Sequence, residues 1–193
     1  MKNLFTLFCL ALITSTCFSQ DIANFNDFDE VQLSHTDSIP DFQNKEAQLK
    51  LTGTIYQSDG ITPAKDVILY IEQRDENGRY KLVKEDNKRF VYHRGWIKTD
   101  ANGQYTFYTF MPGSIHRSNN YKYITPVVKA PGQDEYELSA FIFDNDPILS
   151  KHCRKRLAKK GKADAILKVV TSENNLMVVT RDITLTDNVL ENK

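Results

Sequence analysis

Gln104-Tyr105-Thr106-Phe107-Tyr108-Thr109-Phe110 alternates strictly, with Tyr105, Phe107 and Thr109 on one side and Thr106, Tyr108 and Phe110 on the other. Only a strand puts successive side chains on opposite faces in this way. The same kind of run recurs along the chain. Leu49 to Tyr56, Asp66 to Gln73, Gly95 to Thr99, Tyr121 to Lys129, Glu135 to Asp144 (around Phe141-Ile142-Phe143), Ala165 to Val170 and Leu176 to Leu185 all read as short strands. Turn residues punctuate them at Gln57–Gly60, Asp75–Gly78, Asp100–Gly103, Pro112–Ser114, Pro131–Gly132 and Glu173–Asn175. Short strands with turns at roughly 8–12-residue spacing specify an all-β chain, an antiparallel β-sandwich of about seven to eight strands. Tyr80 to Tyr92 is charged and lacks a period, and is predicted to be a loop.

One helix interrupts this pattern in the C-terminal half. Asp146 is a good N-cap, Pro147 suits the first helical position, and basic residues crowd the end, so a helix is predicted from Pro147 to Lys160, stopping at Gly161. Its run Lys151, Arg154, Lys155, Arg156, Lys159, Lys160 and Lys162 reads as a solvated face. Residues 1–19 have the form of a secretory signal peptide: Lys2, an apolar stretch from Leu4 to Ile13, and Cys17-Phe18-Ser19 at the cleavage site. The expectation is export to the periplasm or the extracellular space. Lipidation at Cys17 is disfavoured, because Thr14-Ser15-Thr16 lacks an aliphatic residue at the required place. Residues 20–47 read as an extended polar arm that packs loosely or crosses to a partner in a homodimer, and residues 48–187 as the sandwich.

Composition narrows the partners. The 25 Lys+Arg balance 25 Asp+Glu, and losing Lys2 leaves a slight negative charge, which argues against nucleic acid. No apolar run after Ser19 is long enough to span a membrane. Once Cys9 and Cys17 leave with the signal, Cys153 cannot form an internal disulfide or a cysteine-based zinc site. It stands beside His152 and Arg154, which favour its thiolate, but reads as a free thiol rather than a nucleophile. Asp144 and Asp146 are a weak calcium pair, read more simply as turn and cap residues.

An ordered set of segments resembles the intradiol ring-cleavage dioxygenases, especially small secreted members. Leu51-Thr52-Gly53-Thr54-Ile55-Tyr56 with Pro63-Ala64 and Val67-Ile68-Leu69-Tyr70 resembles their opening hairpin. Asn77-Gly78-Arg79-Tyr80 resembles the segment that carries their first tyrosine ligand. Arg94 to Phe107, containing Gly95-Trp96 and Gly103-Gln104-Tyr105-Thr106-Phe107, is similar to their most recognisable stretch, and Phe141 to Pro147 to their closing strand. The resemblance implies a sandwich, a catechol-like substrate and Fe(III) held by two tyrosine phenolates and two histidines. Anionic oxygen donors suit a ferric ion, and a His-x-His on a strand aims both imidazoles at one face.

Carried over residue by residue, the resemblance gives Tyr80 as the first tyrosine. The second tyrosine falls at Ile115, the His-x-His at Tyr123-Ile124-Thr125, and the family's arginine near the substrate at Asn120. Three of the four ligand positions therefore depart from the pattern. The expectation is a divergent member with a decayed iron site: no cofactor, and a binding or interaction role for an aromatic or other small ligand in the old pocket. Fe(III) is the cofactor expected if the activity is retained. The competing reading is an active oxygenase or other metalloenzyme rebuilt around Tyr80, His116 and Tyr123, with His93 at the same mouth. Candidate site residues are Tyr80 as a metal ligand, and Ile115, His116, Asn120, Tyr123 and Thr125 as the former pocket.

Overall fold

The computed structural model describes Phe25 and residues 32–85, 88–115 and 121–186. Residues 1–19, Cys17 among them, and His116 and Asn120 lie outside these. The strands are β1 (Thr36–Ser38), β2 (Gln48–Tyr56), β3 (Ile68–Gln73), β4 (Leu82–Glu85), β5 (Lys88–Val91), β6 (Arg94–Lys98), β7 (Gln104–Phe110), β8 (Tyr123–Lys129), β9 (Tyr136–Glu137), β10 (Phe141–Phe143), β11 (Ile166–Leu167), β12 (Val170–Thr171), β13 (Met177–Thr180) and β14 (Ile183–Thr184). One sheet runs β1-β7-β2-β13-β12, with β14 also on β2. The other runs β11-β10-β8-β3-β6, with β9 also on β8. The all-β sandwich is as expected from the alternation. Its sheets are mixed, because β1–β7, β10–β11, β13–β2 and β14–β2 pair in parallel.

Alternation fills the space between the sheets. Tyr105, Phe107 and Thr109 of β7 face Leu49, Leu51 and Ile55 of β2, and all are fully buried. The opposing sheet contributes Leu69, Ile71, Ile97, Ile124, Val128, Phe141 and Phe143 to the same cluster. Each such side chain contributes about 1.5–3 kcal/mol by leaving water.

The segment expected as a loose arm is a structural part of the sandwich from residue 34. His35 O accepts from Thr106 N at 2.8 Å and Tyr108 O accepts from Ile39 N at 2.8 Å, so β1 lies on the edge of β7. Ser34 O accepts from Lys98 N at 2.9 Å, and Asp37 Oδ2 from Trp96 N at 3.1 Å, on the edge of β6. The arm thus closes one open side between the sheets within its own chain, and Ile39 enters the core at 1% exposure. Gly95 permits this approach. A Cβ there would stand 2.6 Å from Asp37 Oδ2 and 2.7 Å from Ile39 Cδ1.

Two further expectations are corrected. The stretch predicted as a loop contains the hairpin β4–β5, paired from Leu82↔Val91 to Glu85↔Lys88. Its side chains are mostly exposed, so no buried face imposed a readable alternation. The helix α1 spans Lys151–Lys159 and starts later than predicted. Ser150 is its N-cap and accepts from Cys153 N at 3.2 Å. Asp146 is instead buried, its two carboxylate oxygens accepting from Lys122 N and Ile148 N. Among the described residues, no helix is long and apolar enough to cross a membrane.

Candidate functional site

Tyr80 follows a tight turn built on Asp75. The Asp75 carboxylate accepts from Asn77 N at 2.9 Å and Arg79 N at 2.8 Å, which sets the exit direction of the chain. The segment after β7 packs on that turn. Gly113 N donates to Asp75 O at 2.8 Å, and a Cβ on Gly113 would lie 2.2 Å from Glu76 O. Ile115 follows and leans on Gly78, where a Cβ would meet its Cγ1 at 2.8 Å. On β8, Ile124 points into the core, so Tyr123 and Thr125 share the outer face.

These elements converge. The Tyr80 hydroxyl couples to the hydroxyls of both Tyr123 and Thr125, and Ile115 stands against the turn that delivers Tyr80. Burial pushes the Tyr80 phenol up to about 12; the Tyr123 hydroxyl adds to the rise and the Thr125 hydroxyl opposes it. Tyr80 therefore keeps its proton at neutral pH.

Arg74, which the sequence reading did not single out, completes the site. Its guanidinium carbon lies 5.1 Å from the centre of the Tyr80 ring and 4.8 Å from that of Tyr123. Glu72, next along the same face, accepts from the Tyr70 hydroxyl at 2.8 Å, and burial raises its pKa. The signal for both was present: Tyr70-x-Glu72-x-Arg74 continues the outward phase of β3.

The other candidates lie elsewhere. His93 alternates inward from Arg94 and is 1% exposed, with Nε2 3.2 Å from Asp41 Oδ2 and its ring edge-on to Phe110 at 4.9 Å. Desolvation lowers its pKa, so it is neutral near pH 7. It is a core histidine that ties down the arm, not a group at the Tyr80 mouth. Asp144 Oδ1 accepts from Val169 N at 3.0 Å, so Asp144 and Asp146 both serve the backbone. Arg154 and Arg156 fasten α1 through Asp144 O and the Tyr121 hydroxyl, and the remaining lysines of the run are exposed. Cys153 is a free thiol whose pKa is lowered chiefly by the Ser150 hydroxyl. A depression of about 410 Å³ lined by Asp66, Ile68, Lys98, Lys129 and Gly132 lies at the far end of β3 from Arg74.

The two-sheet sandwich resembles solved structures of intradiol ring-cleavage dioxygenases. The dioxygenase domain of a dioxygenase–carbohydrate-binding fusion from Streptomyces sp. SirexAA-E matches at TM-score 0.57 and 20% identity, over 73% of this chain and 80% of that one. An intradiol ring-cleavage dioxygenase from Tetranychus urticae matches at 0.54 and 19%, over 71% and 79%. Catechol 1,2-dioxygenase from Acinetobacter sp. ADP1 matches at 0.57 and 19%, over 79% of this chain and 57% of that longer one. Identities this low establish likeness of fold. No family model and no curated protein matches the chain.

The donors present do not fit the ferric ion that the resemblance implies. Ile115 offers no donor and Thr125 only a neutral hydroxyl, which leaves the phenols of Tyr80 and Tyr123 with no imidazole beside them among the described residues. Arg74 adds a fixed positive charge against both tyrosine rings. Among the described residues, no three His, Cys, Asp or Glu side chains cluster to hold a metal.

Proposed function

We propose that this chain is an exported relative of the intradiol dioxygenases in which ligand binding has replaced ring cleavage. The observation that carries the reading is Arg74 stacked against Tyr80 and Tyr123. A guanidinium has taken a place beside both phenols, so the face carries its own cation and disfavours a second. The half-buried rings of Tyr80 and Tyr123, with the Thr125 hydroxyl, offer stacking surface and hydrogen bonds to a small aromatic ligand. The pattern of residues 1–19 supports export.

Colour tests this directly. Ferric tyrosinate absorbs visible light through phenolate-to-iron charge transfer. The purified protein mixed with ferric iron is expected to remain colourless and to consume no oxygen with catechol. A burgundy protein that takes up oxygen with catechol refutes the proposal.

A further inference from the structure

Two arginines on the outer face of the second sheet are clamped by aromatic rings. Arg94 stands opposite Glu72 in the β3–β6 register, and Arg74 lies two residues beyond Glu72. They are therefore diagonal neighbours, a separation that long side chains span. The Arg94 guanidinium carbon is 3.8 Å from the Phe90 ring centre and 4.8 Å from that of Trp96, as Arg74 is held by Tyr80 and Tyr123. Among the described residues neither arginine lies in an ion pair. One terminal nitrogen of each is shielded from solvent and has no acceptor.

One carboxylate stands among them: Glu72 lies between the two arginines and accepts from the Tyr70 hydroxyl at 2.8 Å, burial raising its pKa while the Arg94 charge lowers it, and Arg94 also hydrogen-bonds the Tyr70 hydroxyl. Glu137 is the other carboxylate that acts on this group, and Tyr80, Tyr123 and Thr125 contribute neutral hydroxyls. Buried guanidinium donors ordinarily find acceptors. A guanidinium already fixed in plane loses little freedom when it engages a two-oxygen acceptor.

We propose that Arg74 and Arg94 form an oxyanion site, taking the carboxylate or phosphate group of a small ligand whose remainder lies over Tyr80 and Tyr123. This rests on the binding-protein reading and adds the charge of the ligand to it.

Trp96 is the one tryptophan of the chain and touches Arg94, so its fluorescence reports the site. The full chain is titrated separately with sodium phosphate, sodium acetate and neutral 4-methylphenol, at ionic strength fixed with sodium chloride. At least one oxyanion is expected to give a saturable change, the tighter of the two identifying the source. Arg74→Met and Arg94→Met are each expected to weaken that binding by about tenfold or more. Thermal melts confirm folding, and Arg74→Lys and Arg94→Lys, which keep the charge but not the fork, weaken it by less. The proposal falls if neither oxyanion saturates below about 10 mM, or if the methionine variants bind as the parent does. Binding of 4-methylphenol alone refutes the oxyanion site and leaves the binding-protein reading standing. Binding of none of the three removes both.

Discussion

Tyr80 shows how one side chain changes meaning with its neighbours. As a ligand it would be an anion; here burial, with Tyr123 beside it, holds the proton up to about 12. Burial raises Tyr70 and Tyr105 in the same direction. For an acid whose folded pKa is raised, stability is fully present below the unfolded value, near 10, and is lost as pH climbs from there toward the folded value. Urea midpoints measured from pH 8 upward are expected to hold until about pH 10 and then fall. Tyr80→Phe should flatten that decline, by less than the full one-proton slope because the ring is part-exposed and screened by solvent; an unchanged slope would show that Tyr80 ionises freely in the folded state. The alternation Tyr123-Ile124-Thr125 made a shared face legible in the sequence. The same alternation put Arg74 on the outward face, but its role was not legible, because it comes from two rings that reach it from other segments.

Among the elements, the arm strand β1 depends on a missing side chain elsewhere. Gly95→Val places carbon where Asp37 Oδ2 and Ile39 Cδ1 now lie. Such overpacking costs about 1–3 kcal/mol. The arm is expected to release before the sandwich unfolds, seen as proteolysis within residues 34–47 and loss of amide protection at Thr106 and Lys98, whose partners are His35 O and Ser34 O. If those amides stay protected, the arm does not dock through this contact. Among the described residues of the arm three form a strand, too few to show a period, and their pairing partner lies about seventy residues away. The central strands were readable because one face of each is buried. The β4–β5 hairpin was not, because most of its side chains are exposed. The start of α1 was misplaced because an aspartate before a proline is a good cap, and only tertiary contact shows Asp146 holding Lys122 N instead.

For the molecule as a whole, scaffold and chemistry come apart. The core that defines the sandwich uses Leu51, Phe107, Ile124 and their neighbours, none of which lies at the Tyr80 mouth, so the fold does not depend on the residues there. This separation lets the ligand set that the resemblance implies be built in stages. Ile115→Tyr, Tyr123→His and Thr125→His supply the three absent donors, beside Tyr80. All three positions are only half-buried, so the changes should leave the core and the melting behaviour nearly intact. With Arg74 in place, the triple variant is expected to bind ferric iron poorly, since a guanidinium about 5 Å from the Tyr80 ring opposes a cation there. Adding Arg74→Met removes that charge while keeping an apolar stem between the rings. The quadruple variant is then expected to develop the visible phenolate-to-iron band and to hold iron at least about tenfold more tightly than the triple variant. Equal iron binding by the two would show that Arg74 does not exclude the metal. Absence of the band in both, with folding intact, would show that the backbone no longer brings positions 80, 115, 123 and 125 into coordinating range.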